Sequence, residues 1–142
     1  MELHYLDTSF LAPYYLPEEA SERVERRLRR LAAGSLIISP LVRVELASLL
    51  VTKFRAREMA EEVARLTMAA LDRHLSTGAL RLASILTEDF GRATEWIMVM
   101  KHPLRAPDAL HLAVAARHNA LFWTLDQRLA KVAGWVGLKT RG

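Results

Sequence analysis

The stretch Ala106-Pro107-Asp108-Ala109-Leu110-His111-Leu112-Ala113-Val114-Ala115, closing at His118 and followed by Ala120-Leu121-Phe122-Trp123-Thr124-Leu125-Asp126, decides the fold class. Proline then aspartate fits the first turn of a helix, where the missing amide costs nothing and a negative charge complements the dipole. The spacing predicts a helix over Ala106–His118. The next run is short, apolar and uninterrupted, as in a strand buried on both faces. Asp126 then opens a short helix over Gln127–Ala133, with its carboxylate as a natural cap.

The same alternation extends outward. Leu3–Leu6, Ser35–Ser39, Ala79–Ala83 and, more weakly, Val136–Thr140 read as further strands. Helical periodicity covers Glu18–Ala32, Pro40–Phe54, Arg57–Thr77 and Glu88–Met100, and a short helix is expected at Thr8–Tyr15. Pro40–Phe54 begins with Ser39 as cap and proline at the first helical position, with Val42, Leu46, Leu49 and Leu50 on one stripe. Strands alternating with helices predict an α/β fold with a mostly parallel central sheet of about five strands.

Composition narrows the class. The chain has 142 residues, the length of one domain, so residues 1–142 are expected to form a single unit. An apolar fraction of 51% with 25% charged residues excludes disorder and fibrous repeats. No cysteine occurs, which excludes disulfides, thiol catalysis and cysteine-held metals and fits a cytoplasmic protein. No segment reads as a signal peptide or membrane span. Lys plus Arg outnumber Asp plus Glu, 20 to 16, which permits an anionic partner such as RNA.

The informative residues are four carboxylates in unusual places. Asp7 ends the first strand, and ligands of open α/β sheets bind beyond the carboxyl ends of strands. Asp126 repeats that arrangement after Ala120–Leu125, with Thr124 two residues before it. Glu45 interrupts the apolar stripe of Pro40–Phe54 between Leu41 and Leu49. Asp108 is the only acid between Glu95 and Asp126. Each alone has an equally ordinary reading as a helix cap or an edge ion pair. Together, at one sheet edge, they would repel unless a cation joined them. Oxygen donors without sulfur point to Mg²⁺ or Mn²⁺, ions that activate water and bind phosphate.

Tyr5-Leu6-Asp7-Thr8-Ser9, Val44-Glu45-Leu46-Ala47, Pro107-Asp108-Ala109-Leu110-His111-Leu112-Ala113 and Thr124-Leu125-Asp126, in this order, resemble the PIN-domain ribonucleases. The match is best with the VapC-type toxins of prokaryotic toxin–antitoxin pairs. The resemblance spans the chain, although Arg55–Pro103 matches only in its helix–strand–helix pattern. It implies an α/β/α sandwich and a Mg²⁺- or Mn²⁺-dependent endoribonuclease that leaves a 5′-phosphate and a 3′-hydroxyl. It also implies a homodimer silenced by a cognate antitoxin. Asp7, Glu45, Asp108 and Asp126 take the family's four acidic positions, as catalytic and metal-holding residues. Thr8, Ser9 and Thr124 take the hydroxyl positions beside them. Asp7 and Asp108 are ranked to touch the metal, with Glu45 and Asp126 acting partly through water.

Two rival readings fit the pattern less well. A non-catalytic RNA- or partner-binding module on the same fold would be expected to lack some of these acids. A phospho-acceptor receiver domain needs an acid pair near the first strand, where Asp7 stands alone. Other features read as structural. Arg23, Arg26, Arg27 and Arg30 form a solvated face, laced by Glu19–Arg23, Glu22–Arg26 and Glu25–Arg29 pairs at favourable i, i+4 spacings. Arg43 and Arg105 are the better candidates for phosphate contact. The histidines, His111 and His118 included, read as packing or capping residues. Trp96, Ile97 and Met98 make a bulky surface facing the sheet or a second subunit.

Overall fold

The computed structural model describes all residues from Met1 to Gly142. Five short strands, β1 (His4–Leu6), β2 (Leu36–Ile38), β3 (Arg81–Leu82), β4 (Leu121–Trp123) and β5 (Thr140–Arg141), form one parallel sheet in the order β3-β2-β1-β4-β5. Seven helices accompany it: α1 (Thr8–Tyr15), α2 (Ser21–Arg29), α3 (Pro40–Arg55), α4 (Glu61–Thr77), α5 (Thr87–Met98), α6 (Ala106–Arg117) and α7 (Gln127–Trp135).

The strand order determines where the helices go. The chain steps one way from β1 to β3, then crosses back to β4 and on to β5. Right-handed crossovers therefore put α1–α4 on one face and α5–α7 on the other. Packing follows this division, with α1 against α2 and α3, α3 against α4, and α5 against α6. The result is the expected α/β/α sandwich. The direction of travel reverses between β1 and β4, which opens a crevice at their carboxyl ends.

The core explains the strands. Tyr5, Leu6, Ile38 and Phe122 are fully buried, so β1, β2 and β4 are apolar without alternation. Tyr5 and Phe122 are register partners and stack at 5.8 Å, which pins β1 against β4. On the other face, Trp123 donates its indole N–H to His4 Nδ1 at 2.9 Å.

Several elements depart from the sequence expectation. The helix expected over Glu18–Ala32 spans only Ser21–Arg29. The long helix expected from Arg57 starts at Glu61, because the chain turns through a left-handed conformation at Arg57 (φ 61°). It ends, as expected, at a left-handed Gly78. The last strand is Thr140–Arg141 rather than Val136–Thr140, because α7 continues to Trp135 and its carboxyl-terminal turn takes up the next residues. Ser39 occupies the cap position of α3 but makes no capping bond. Its hydroxyl pairs with Tyr5 instead.

Candidate active site at the carboxyl edge of the sheet

Asp7 sits at the crevice where the sheet reverses direction. It directly follows β1 and begins α1, and only 3% of its surface is exposed. The capping reading is correct: Oδ1 accepts the Phe10 amide at 2.9 Å. The same oxygen accepts the Ser9 hydroxyl at 2.7 Å. Burial pushes the carboxyl above its ordinary range, against the opposing pull of the Thr124 and Ser9 hydroxyls and the Phe10 amide. The sheet edge thus holds an acid short of positive charge.

Ser9 connects Asp7 to the end of β4. Its oxygen lies 3.1 Å from the Thr124 hydroxyl and accepts the Leu125 amide at 3.0 Å. Thr124 in turn accepts the Asp126 amide at 3.1 Å. Asp126 caps α7, where Oδ1 takes the amides of Arg128 and Leu129. Ser9 and Thr124 therefore bring Asp7 and Asp126 to one side of the crevice.

Glu45 arrives from α3, in the same helix layer as α1. Thr8, the first residue of α1, donates its hydroxyl to Glu45 Oε1 at 2.8 Å. His111 of α6 places Nε2 2.5 Å from the same oxygen. Both partners meet Oε1, and Oε2 receives no hydrogen bond from the protein; Asp126 likewise leaves Oδ2 free. Burial works to raise the Glu45 carboxyl, but His111, with help from Thr8 and Arg105, outweighs it and holds the group below its ordinary range.

Asp108 is the third residue of α6, one turn before His111. Arg105 Nε stands 3.5 Å from its Oδ2, and no hydrogen bond joins it to the other three acids. No three of the histidine, aspartate and glutamate side chains are close enough to enclose an ion unaided. The donor chemistry nevertheless suits a hard cation. Mg²⁺ is ordinarily held by one or two carboxylates with water completing its shell. The free oxygens of Glu45 and Asp126, beside a buried Asp7, provide that kind of donor.

Several sequence readings change. His111 is not mere packing: its ring is buried and touches a site acid, and a helix position three residues after Asp108 was the available signal. Arg43 is not free for phosphate, because it forms a two-pronged bond to Asp72 at 2.8 and 2.9 Å. Of the ion pairs expected on α2, only Glu25–Arg29 forms. Arg23, Arg26, Arg27 and Arg30 line a shallow recess with no acid in it.

No curated protein matches the sequence. The model of the PIN domain family matches residues 4–134. Among solved structures, VapC20 of Mycobacterium tuberculosis, described as a toxin that cleaves the sarcin–ricin loop, superposes with a TM-score of 0.71 at 21% identity, covering 95% of each chain. FitAcB of Neisseria gonorrhoeae gives 0.68 at 16% identity over 99% of this chain and 97% of that one. VapBC-1 of nontypeable Haemophilus influenzae gives 0.72 at 15% identity over 98% and 96%. At such identities the likeness is one of fold. The family model, spanning nearly all of the chain and each of the four acids, carries the assignment: the chain belongs to the PIN domain family.

Proposed function

We propose that the chain is a VapC-like toxin: an endoribonuclease that hydrolyses RNA phosphodiesters using Mg²⁺ or Mn²⁺ held among Asp7, Glu45, Asp108 and Asp126. The observation that carries this reading is Asp7, a buried carboxylate raised by burial at the crevice between β1 and β4. Capping occupies one of its oxygens, and a carboxylate buried at such a crevice is also the kind of group that a cation compensates. Support comes from the hydroxyls of Ser9 and Thr124, which tie Asp7 to the Asp126 loop, and of Thr8, which ties Glu45 to the same end of α1.

The roles are those that the family resemblance implies. Asp7 and Asp108 would contact the ion, and Glu45 and Asp126 would act on it partly through water. A bound divalent ion supplies an activated water and neutralises charge gathering on the phosphate. Thr8, Ser9 and Thr124 fix the carboxylates so that little rearrangement accompanies reaction. Arg105, exposed beside Asp108, would meet a phosphate in this reading.

The same reading includes a cognate antitoxin and a second copy of the chain as partners. Exposed apolar side chains support it. Val51 and Phe54 of α3 flank a groove of about 530 Å³ against α4, and Phe90, Met98 and Met100 protrude on and just after α5. No helix is long and apolar enough to cross a membrane.

The test is cleavage of labelled RNA by the purified chain with Mn²⁺. Asp7→Asn is expected to lower the rate by at least roughly 10²–10³-fold, the loss typical of removing one charge-stabilising group. Chelation is expected to abolish cleavage. Undiminished activity in excess chelator, or in the variant, sinks the reading; absence of cleavage by the folded wild-type chain leaves the non-catalytic module in its place.

A further inference from the structure

We propose that His111 is a positioning residue for Glu45, holding one carboxylate oxygen so that the other is presented to the site, with Tyr5 and Ser39 holding His111 in turn. The inference rests on the reading of Glu45 as an active-site acid. It goes beyond that reading by assigning three residues outside the acidic pattern.

The geometry is a single file of hydrogen bonds running from the core to the crevice. Ser39 Oγ lies 2.8 Å from the Tyr5 hydroxyl, Tyr5 lies 2.6 Å from His111 Nδ1, and His111 Nε2 lies 2.5 Å from Glu45 Oε1. Ser39 and Tyr5 are fully buried and His111 nearly so. Proton accounting gives the file one direction. The carboxylate has no proton to give, so Nε2 carries the ring's hydrogen. In the uncharged ring Nδ1 then accepts, and the Tyr5 hydroxyl must donate to it. Ser39 is left to donate to the Tyr5 oxygen. Every hydrogen in the file has one place.

Such a file does more than fill the core. It joins β1, α6 and both the cap and the second turn of α3, just after β2. Thr8 adds a second donor to the same Oε1. A glutamate side chain otherwise turns freely about three bonds, and two donors on one oxygen fix the carboxylate plane. Oε2, free of protein donors, then faces one direction. Histidine partners of this kind orient carboxylates at metal centres and tune how tightly the ion is held.

The experiment is Mn²⁺ calorimetry on the full chain, with Asp7→Asn as reference and His111→Leu, His111→Gln and Tyr5→Phe as probes. A ¹⁵N spectrum of the imidazole is recorded without metal. His111→Leu is expected to weaken Mn²⁺ binding by about 10–100-fold, the usual cost of losing such a partner. His111→Gln, whose amide reaches the place of Nε2, is expected to recover most of that loss. The wild-type spectrum should show a single Nε2-protonated tautomer; Tyr5→Phe is expected to weaken binding less and, by leaving Nδ1 without its donor, to shift the Nδ1 resonance while Nε2 keeps its hydrogen against Glu45. In turnover, His111→Leu is expected to lower kcat more than it raises KM. Wild-type affinity in folded His111→Leu, or mixed tautomers in the wild-type spectrum, overturns the proposal while leaving the acid site standing. Should His111→Leu not fold, Tyr5→Phe binding Mn²⁺ as wild type with an unchanged spectrum overturns it equally. Mn²⁺ binding indifferent to Asp7→Asn removes the acid site itself, and this proposal with it.

Discussion

Helix α3 carries two charged residues two positions apart with opposite fates. Arg43 and Glu45 are separated by about 200° around the helix at 3.6 residues per turn. Arg43 turns toward α4 and pairs with Asp72, both side chains 47% exposed. Glu45 turns toward the sheet edge and pairs with His111, whose side chain is 3% exposed. The first pair has good geometry and lies in water, where Coulomb attraction is weak. The second reaches into the core and fixes a carboxylate at the crevice. A salt-bridge distance is therefore no guide to importance; what the pair is buried against decides.

A third pair sharpens the comparison, and its loss is the largest stability effect expected. Asp89 of α5 is 2% exposed and binds Arg117 of α6 at 3.0 Å. It also accepts the Leu86 amide at 2.8 Å, while Arg117 reaches the Ser84 carbonyl. Asp89→Ala leaves Arg117 unmatched and the start of α5 uncapped. Arg117, a quarter exposed, recovers some hydration, so the expected cost is about 2–4 kcal/mol, toward the low end of the range for breaking a buried pair. Urea denaturation measures it. The same variant is expected to bind Mn²⁺ normally when folded, because Asp89 is no part of the crevice. A loss below about 1 kcal/mol would break the rule that burial sets the value of these pairs.

Asp7 gives the next effect and reverses the usual sign. Burial raises its carboxyl in the folded chain, so the folded state holds the proton more tightly than the unfolded state. Without metal, the group costs stability increasingly as pH rises from the unfolded value near 3.9 through the raised folded value. Below both, the cost is absent. Asp7→Asn is therefore expected to melt above wild type at pH 7 in chelator and to match it near pH 3. Glu45, held low chiefly by His111, follows the opposite rule, adding stability at neutral pH that is lost as pH falls through its folded value. Adding Mn²⁺ at 100 times its Kd is expected to stabilise wild type by about 2.7 kcal/mol and to leave Asp7→Asn unmoved. Thermal melts with and without the ion check both points.

Much of this was legible in the sequence because apolar runs and helical spacing are local. The strands around Tyr5, Ile37 and Phe122, and the proline-led starts of α3 and α6, needed no partner to be read. The acids stood out for the same reason: a carboxylate directly after a buried strand is conspicuous whatever surrounds it. What escaped depended on contacts between distant residues. His111 meets Glu45 across 66 positions, and Tyr5 meets His111 across 106. Tyr5 looked like core and Ser39 like a cap, and each spends its hydroxyl on something else. Arg43 looked available because its partner Asp72 lies 29 positions away on another helix. The arginine face of α2 seemed paired along its own helix, yet exposed i, i+4 pairs are worth only a few tenths of a kcal/mol and two of the three do not form.

The smallest effect is expected at Arg43. Arg43→Ala removes a guanidinium that makes two charge-assisted bonds, and Asp72 holds that guanidinium above its ordinary range. Geometry alone would rank the pair above Glu45–His111. Both partners, however, keep nearly half their surface in water and recover hydration when separated. Holding two long side chains together also costs rotamer freedom. The expected loss is about 0.2–1 kcal/mol, shrinking in high salt because exposed charges are screened. Denaturation of Arg43→Ala, Asp72→Ala and the double variant at low and high salt isolates the coupling between the two residues. RNA cleavage is expected to be unchanged in Arg43→Ala, since its charge is spent on α4. A loss of cleavage with an unchanged fold would restore Arg43 as a phosphate contact and show that the pair opens when substrate arrives.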